Sequence, residues 1–150
     1  MVFLQGAARK ESPAGVCLEL AMRGFIDLCI SQEILDEVES VLSRPRIRTK
    51  FPALNDAMVA SFLAVIGEHS QFFAKVPRRV ALSRDPKDVP YLDLALHAAA
   101  NYLVTRDADL LDVPTGTDAE SLAIRSAAPD LQIVDPVAFL TLIRRDTLFK

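Results

Sequence analysis

The chain has 150 residues, of which 51% are hydrophobic and 25% charged, enough apolar surface for one soluble domain with a buried core and too much for a disordered segment. A net charge of −3 with a pI near 5.4 excludes a protein that coats nucleic acid by bulk electrostatics. No apolar run approaches the roughly 20 residues of a membrane helix and the start lacks the charged-then-apolar order of a signal peptide. The expectation is a single cytoplasmic domain over residues 1–150 with no membrane partner.

Residues 1–5 form a short apolar beginning, and Gly6 to Ser12 is small and polar. Pro13 then suits the first turn of a helix that ends near Gly24, with Cys17, Leu20 and Ala21 on one apolar face. Phe25 to Ile30 is the next strand candidate. Ser31 caps a helix running to about Ser43 and closed off by Pro45, whose core stripe is Ile34, Leu35, Val38, Val41 and Leu42. Glu37 and Glu39 lie on opposite margins of that stripe and Asp36 faces away, so periodicity alone does not select a functional acid. Arg44, Arg46, Arg48 and Lys50 follow, a basic run whose usual explanation is solvation.

Asn55 or Asp56 opens a helix in which Met58, Val59, Phe62, Leu63 and Ile66 leave little polar surface, so it is expected to pack against a second helix. Such an apolar helix predicts a homodimer or larger homo-oligomer. Phe72 to Leu82 reads as extended and broken by Pro77. Cys17 and Cys29 lack the spacing of a zinc site and read as small hydrophobes, while His69 and His97 stand isolated.

The most informative stretch is RDPKDVPYLDLALHAAANYLVTRDADLLD, residues 84–112. Leu92, Ala95, Leu96 and Ala99 repeat at helical spacing and Tyr102 to Thr105 is a short β-prone run, giving helix, tight turn and strand. Asp88 begins that helix, and Asp107 and Asp109 sit just past the strand's carboxyl end, where open α/β sheets bind ligands. Each acid also has an ordinary reading: Asp88 as an N-cap with Pro90 in the first turn, Asp107 or Asp109 as caps of the turn into Leu110. A polar segment follows from Pro114 to Asp130 with a short helix at residues 119–126, then a strand at Leu131 to Val134. Asp135 and Pro136 open a last helix through Ile143.

SQEILDEVESVL, SRPRIRTKFP, SRDPKDVPYLDLAL and ANYLVTRDADLL, in that order, resemble a PIN domain, of the subgroup described as toxin components of toxin-antitoxin pairs. The resemblance covers nearly the whole chain. It implies a three-layer α/β/α fold with a parallel sheet and an acidic cluster that holds Mg²⁺ or Mn²⁺ for hydrolysis of RNA. By position it makes Glu37, Asp88 and Asp107 the metal-binding catalytic residues and Asp109 a fourth ligand, and it assigns RNA contacts to Arg46, Arg48 and Arg106. Arg78 and Arg79 are expected at phosphates too, and a cognate antitoxin is the implied protein partner. Hard divalent cations suit such oxygen ligands.

The family pattern begins with an apolar central strand ending in an acid, and here Val2-Phe3 match the apolar pair that follows it. The expectation is therefore a sheet whose first central strand is missing or replaced, without that strand's acid, and with cleavage weakened or absent for want of that ligand. Unpaired strand edges cost ~1 to 3 kcal/mol per buried group, so an upstream segment, residues 1–5 or a partner would have to cover them. The reading that competes from another class is a non-catalytic PIN-like module that binds RNA or protein.

Overall fold

The computed structural model describes residues 2–148. They form two compact units, Val2–Lys75 and the residues from Val76 onward, each built of helices around a two-stranded parallel sheet. This is a mixed α/β architecture with short parallel sheets, as the PIN-like resemblance implies.

In the first unit, α1 (Val2–Ala8) and α2 (Pro13–Met22) lie against each other, and α1 also touches α3 (Gln32–Leu42). Gly6 lies at the close approach of α1 and α2, where a β-carbon would make the Leu18 side chain shift. The apolar opening was a candidate to fill a strand gap, but Val2 to Leu4 are helical and Phe3 is buried. Ser12 caps α2 by accepting from the Gly15 amide at 3.1 Å, with Pro13 at the first helical position. Gly24, at φ +80°, ends it: the Gly24 amide donates to Ala21 and the Phe25 amide to Leu20. Those return bonds keep Phe25 out of the sheet, so β1 is Leu28–Ser31 rather than starting at Phe25.

β1 pairs with β2 (Ser70–Phe73), Leu28 opposite Ser70 and Ser31 opposite Phe73. Between them run α3, α4 (Pro45–Lys50) and α5 (Asp56–Glu68). Ser31 caps α3 through the Ile34 amide at 3.2 Å, and Ile34, Val38, Val41 and Leu42 are buried as the periodicity requires, with Leu35 half-buried. The basic run is helical: Arg48 donates from Nε to the Leu42 carbonyl (2.6 Å) and pairs with Asp56 (2.9 Å), tying α4 to the end of α3 and the start of α5. Asn55 caps α5, which buries Val59 and Ile66 and leaves Met58 and Val65 exposed. Burial pushes the Cys17 thiol up to about 11, which fits an inert apolar filler.

The second unit holds a 3₁₀ turn (Pro86–Asp88), α6 (Val89–His97), β3 (Tyr102–Val104), α7 (Ala108–Leu111), α8 (Ala119–Ala127), β4 (Gln132–Val134) and α9 (Pro136–Leu148). β3 pairs in parallel with β4, Leu103 opposite Ile133. Residues 76–82 are not a strand. Leu82, Leu92, Leu110, Val113, Ile124 and Ile133 form the core, so α6, α7, α8 and β4 each contribute to one apolar centre. Asp135 caps α9 by accepting from the Ala138 amide at 2.7 Å.

The α6 to β3 turn decides where the acid-bearing strand end falls. Ala99 was expected to continue the helix's apolar stripe, but it is exposed and left-handed at φ +51°. The Ala99 amide donates to Leu96 and the Ala100 amide to Ala95, the same pair of return bonds that Gly24 anchors after α2.

Candidate metal centre

Four carboxylates gather where two short pieces of chain end. Asp85 and Asp88 flank the 3₁₀ turn that enters α6, and Asp107 and Asp109 follow β3 at the start of α7. Oxygens of Asp85, Asp107 and Asp109 lie within 4.8 Å of one another. Asp88 is 8% exposed, and burial first, then the charges of Asp107 and Asp85, push its carboxyl up from 3.8 to about 7. Its neighbours' oxygens are all acceptors, so only the protonated form of Asp88 has a hydrogen to offer them.

Local hydrogen bonds fix most of this set. Asp107 Oδ1 accepts from the Asp109 amide at 2.8 Å, and the Asp107 amide donates to the buried Thr105 hydroxyl at 3.0 Å. The Thr105 amide in turn donates to Val134, extending the β3–β4 ladder to the site. Asp85 accepts from the Lys87 amide at 3.1 Å as the cap of the 3₁₀ turn. Asp88 does not cap α6: its backbone is already helical, and its Oδ2 is the buried side-chain oxygen with no hydrogen-bond partner among the described residues. Thus the cap reading holds for Asp107 and fails for Asp88.

That orphan oxygen is the observation that tests the fit of a cation. When Asp88 is ionised, that oxygen is a buried acceptor beside other carboxylates with no donor, which is costly, and a divalent ion would complete it. The donor set, all carboxylate oxygen, suits Mg²⁺ or Mn²⁺.

A PIN domain family model matches residues 1–109 of the 150. The chain belongs to the PIN domain family. PIN domains are generally nuclease modules and typically bind divalent metals, and the match includes all four clustered acids. Searches of curated proteins and of solved structures find no match.

Of the residues expected at the PIN site, Asp88, Asp107 and Asp109 stand together in the second unit, while Glu37 is half-buried on α3 in the first. Asp85 was not anticipated, although Asp-Pro is the same cap-then-proline signature that marked Ser12-Pro13 and Asp135-Pro136. Among the arginines, Arg46 and Arg106 are exposed and Arg48 is engaged with α3 and α5. Asp93, one turn into α6 and 1% exposed, is a different kind of acid: its Oδ1 accepts from the Arg79 and Val80 amides at 2.8 and 3.0 Å, and its Oδ2 from Arg78 at 3.5 Å. It pins residues 78–80 to the helix. No helix among the described residues is long and apolar enough to cross a membrane.

Proposed function

We propose that this PIN domain is an endoribonuclease that uses Mg²⁺ or Mn²⁺, acting as the toxin of a toxin-antitoxin pair. The supporting observation is the buried Asp88 Oδ2, without a hydrogen-bond partner among the described residues, beside the converging carboxylates of Asp85, Asp107 and Asp109. Asp88, Asp107 and Asp109 hold the metal with Asp85 as an added ligand, and the family pattern assigns the same role to Glu37. When bound, the ion supplies a water of lowered pKa and neutralises charge building on the phosphate.

The chain's own residues prepare that chemistry. Asp107 is held by the Asp109 amide and the Thr105 hydroxyl, so its free oxygen keeps a fixed direction. Asp88 would have to be ionised to hold a cation, and its pKa, raised by burial and neighbouring carboxylates, would make that loading depend on pH. The family reading assigns RNA phosphate contacts to Arg46 on α4 and to Arg106, next to Asp107, both exposed residues. Exposed Met58 and Val65 on α5 support association of two copies, which light scattering measures.

Cleavage of a fluorogenic RNA by the full chain tests the proposal. Cleavage is expected to be weak, to require Mn²⁺, to vanish with chelator, and to be lost in Asp88→Asn, Asp107→Asn and Glu37→Gln. RNA binding that persists without any metal-dependent cleavage would favour the non-catalytic module instead.

A further inference from the structure

Like charges gathered at one place push the pieces that carry them apart, and neither piece is long. Asp85 and Asp88 ride on the short stretch from Ser83 to Asp88, and Asp109 sits in the four-residue α7. Both pieces are held by the first turn of α8. The Ser83 amide donates to Glu120 at 2.9 and 3.2 Å and the Ser83 hydroxyl to the same carboxylate at 3.0 Å. Asp118 is fixed in its turn, accepting from the Ser121 amide (3.1 Å) and hydroxyl (2.7 Å).

Arg84 spans the gap. Its Nη2 donates to the backbone carbonyl of Asp109 at 3.0 Å and reaches the Ser121 hydroxyl at 3.4 Å. Its Nε and Nη1 face carboxylate oxygens of Asp109 and Asp118 at 3.9 and 3.7 Å, charge contacts rather than hydrogen bonds. One planar fork therefore meets the acid-bearing loop's neighbour α7 and the buttress α8 at once, an arrangement a lysine's single ammonium does not reproduce. With its donors facing acids and a carbonyl, and its side chain one-third exposed at 34%, the guanidinium is turned inward rather than toward a phosphate.

We infer that Arg84 is a positioning residue of the metal centre: it locks the Ser83–Asp88 stretch and Asp109 to α8, a helix outside the residues matched by the family model. The role rests on the metal-centre reading above, but its structural half is measurable without any ion. Outer partners of metal ligands typically contribute 10- to 100-fold in metal affinity.

The experiment compares the full chain with Arg84→Gln and Arg84→Lys by Mn²⁺ titration, followed by electron paramagnetic resonance of the free ion, and by amide hydrogen exchange in metal-free protein. In Arg84→Gln, Mn²⁺ affinity is expected to fall ~10- to 100-fold and the Asp109 amide to exchange faster, with Thr105 at the β3 end unchanged. Arg84→Lys should recover only part of the affinity. Unchanged Asp109 exchange, full recovery by lysine, or intact Mn²⁺ affinity with weakened RNA binding would each overturn the inference. Absence of Mn²⁺ binding by the unaltered chain would defeat the metal reading, while exchange at Asp109 would still decide the lock.

Discussion

Asp88 and Asp93 lie five residues apart at the head of α6, both almost fully buried, and their surroundings are opposite. Asp93 has two backbone amides and an arginine to accept from. Asp88 has carboxylates for neighbours and an oxygen with no partner among the described residues. Burial alone therefore does not mark a functional acid; what separates the two is whether the fold supplies donors. Asp93 is complete as it stands, whereas the fold gives Asp88 Oδ2 no donor among the described residues.

The comparison breaks most directly at Asp93. Asp93→Ala strands the part-buried Arg79 and Val80 amides, and at the low end of ~1 to 3 kcal/mol for each unpaired group the unfolding free energy should drop by about 2 kcal/mol, read by urea denaturation. Asp88→Asn should do the reverse in metal-free protein, leaving stability unchanged or higher, while RNA cleavage falls at least ~100-fold because a displaced ion is poorly placed for reaction. If Asp88→Asn proved as destabilising as Asp93→Ala, the two acids would be of one kind.

Metal should separate them further. Mn²⁺ at about 100 times its dissociation constant should stabilise the unaltered chain by ~2.7 kcal/mol, reversibly with chelator, and Asp93→Asn should keep most of that gain while Asp88→Asn loses it. Proton linkage gives a matching signature. The Asp88 carboxyl is raised from 3.8 to about 7 in the folded protein, so the folded state holds a proton that the unfolded state releases. Its contribution to stability is present below 3.8 and is lost as pH rises to about 7. Metal-free Asp88→Asn should flatten the thermal midpoint over that window, and Mn²⁺ affinity of the unaltered chain should rise through it. The smallest effect is expected at the arginines: Arg46→Ala should reduce the salt slope of RNA binding by about one, while Arg48→Ala should act mainly through the α3–α4–α5 joint that it ties.

Much of this was readable from local signals. Caps followed by proline gave the starts of α2 and α9, Ser31 and the apolar period gave α3, and the β-prone run gave β3 within a residue. Local signals failed where distant partners decide. Phe25 left the strand because its amide returns to Leu20, and after β2 the amides of Arg79 and Val80 donate to Asp93 rather than to a strand. At the site, Asp88, Asp107 and Asp109 followed from resemblance, but Asp85 was hidden by reading Asp88 as the helix start. Nor does any spacing rule reveal that Arg84 faces α8 or that Asp93 meets Arg79, since both contacts depend on the folded second unit.

The turn at Ala99 also has an engineering consequence. It holds a left-handed backbone at φ +51° where a methyl side chain costs roughly 1 to 2 kcal/mol, while glycine there would cost about 0.4 to 1 kcal/mol through the freer unfolded chain. The balance favours Ala99→Gly by about half to one kcal/mol. Alanine and glycine codons differ by a single base, so a sturdier form of the hinge that delivers Asp107 lies one point mutation away. A β-branched residue at the same spot would move in the other direction, loosening the entrance to β3 without touching any acid.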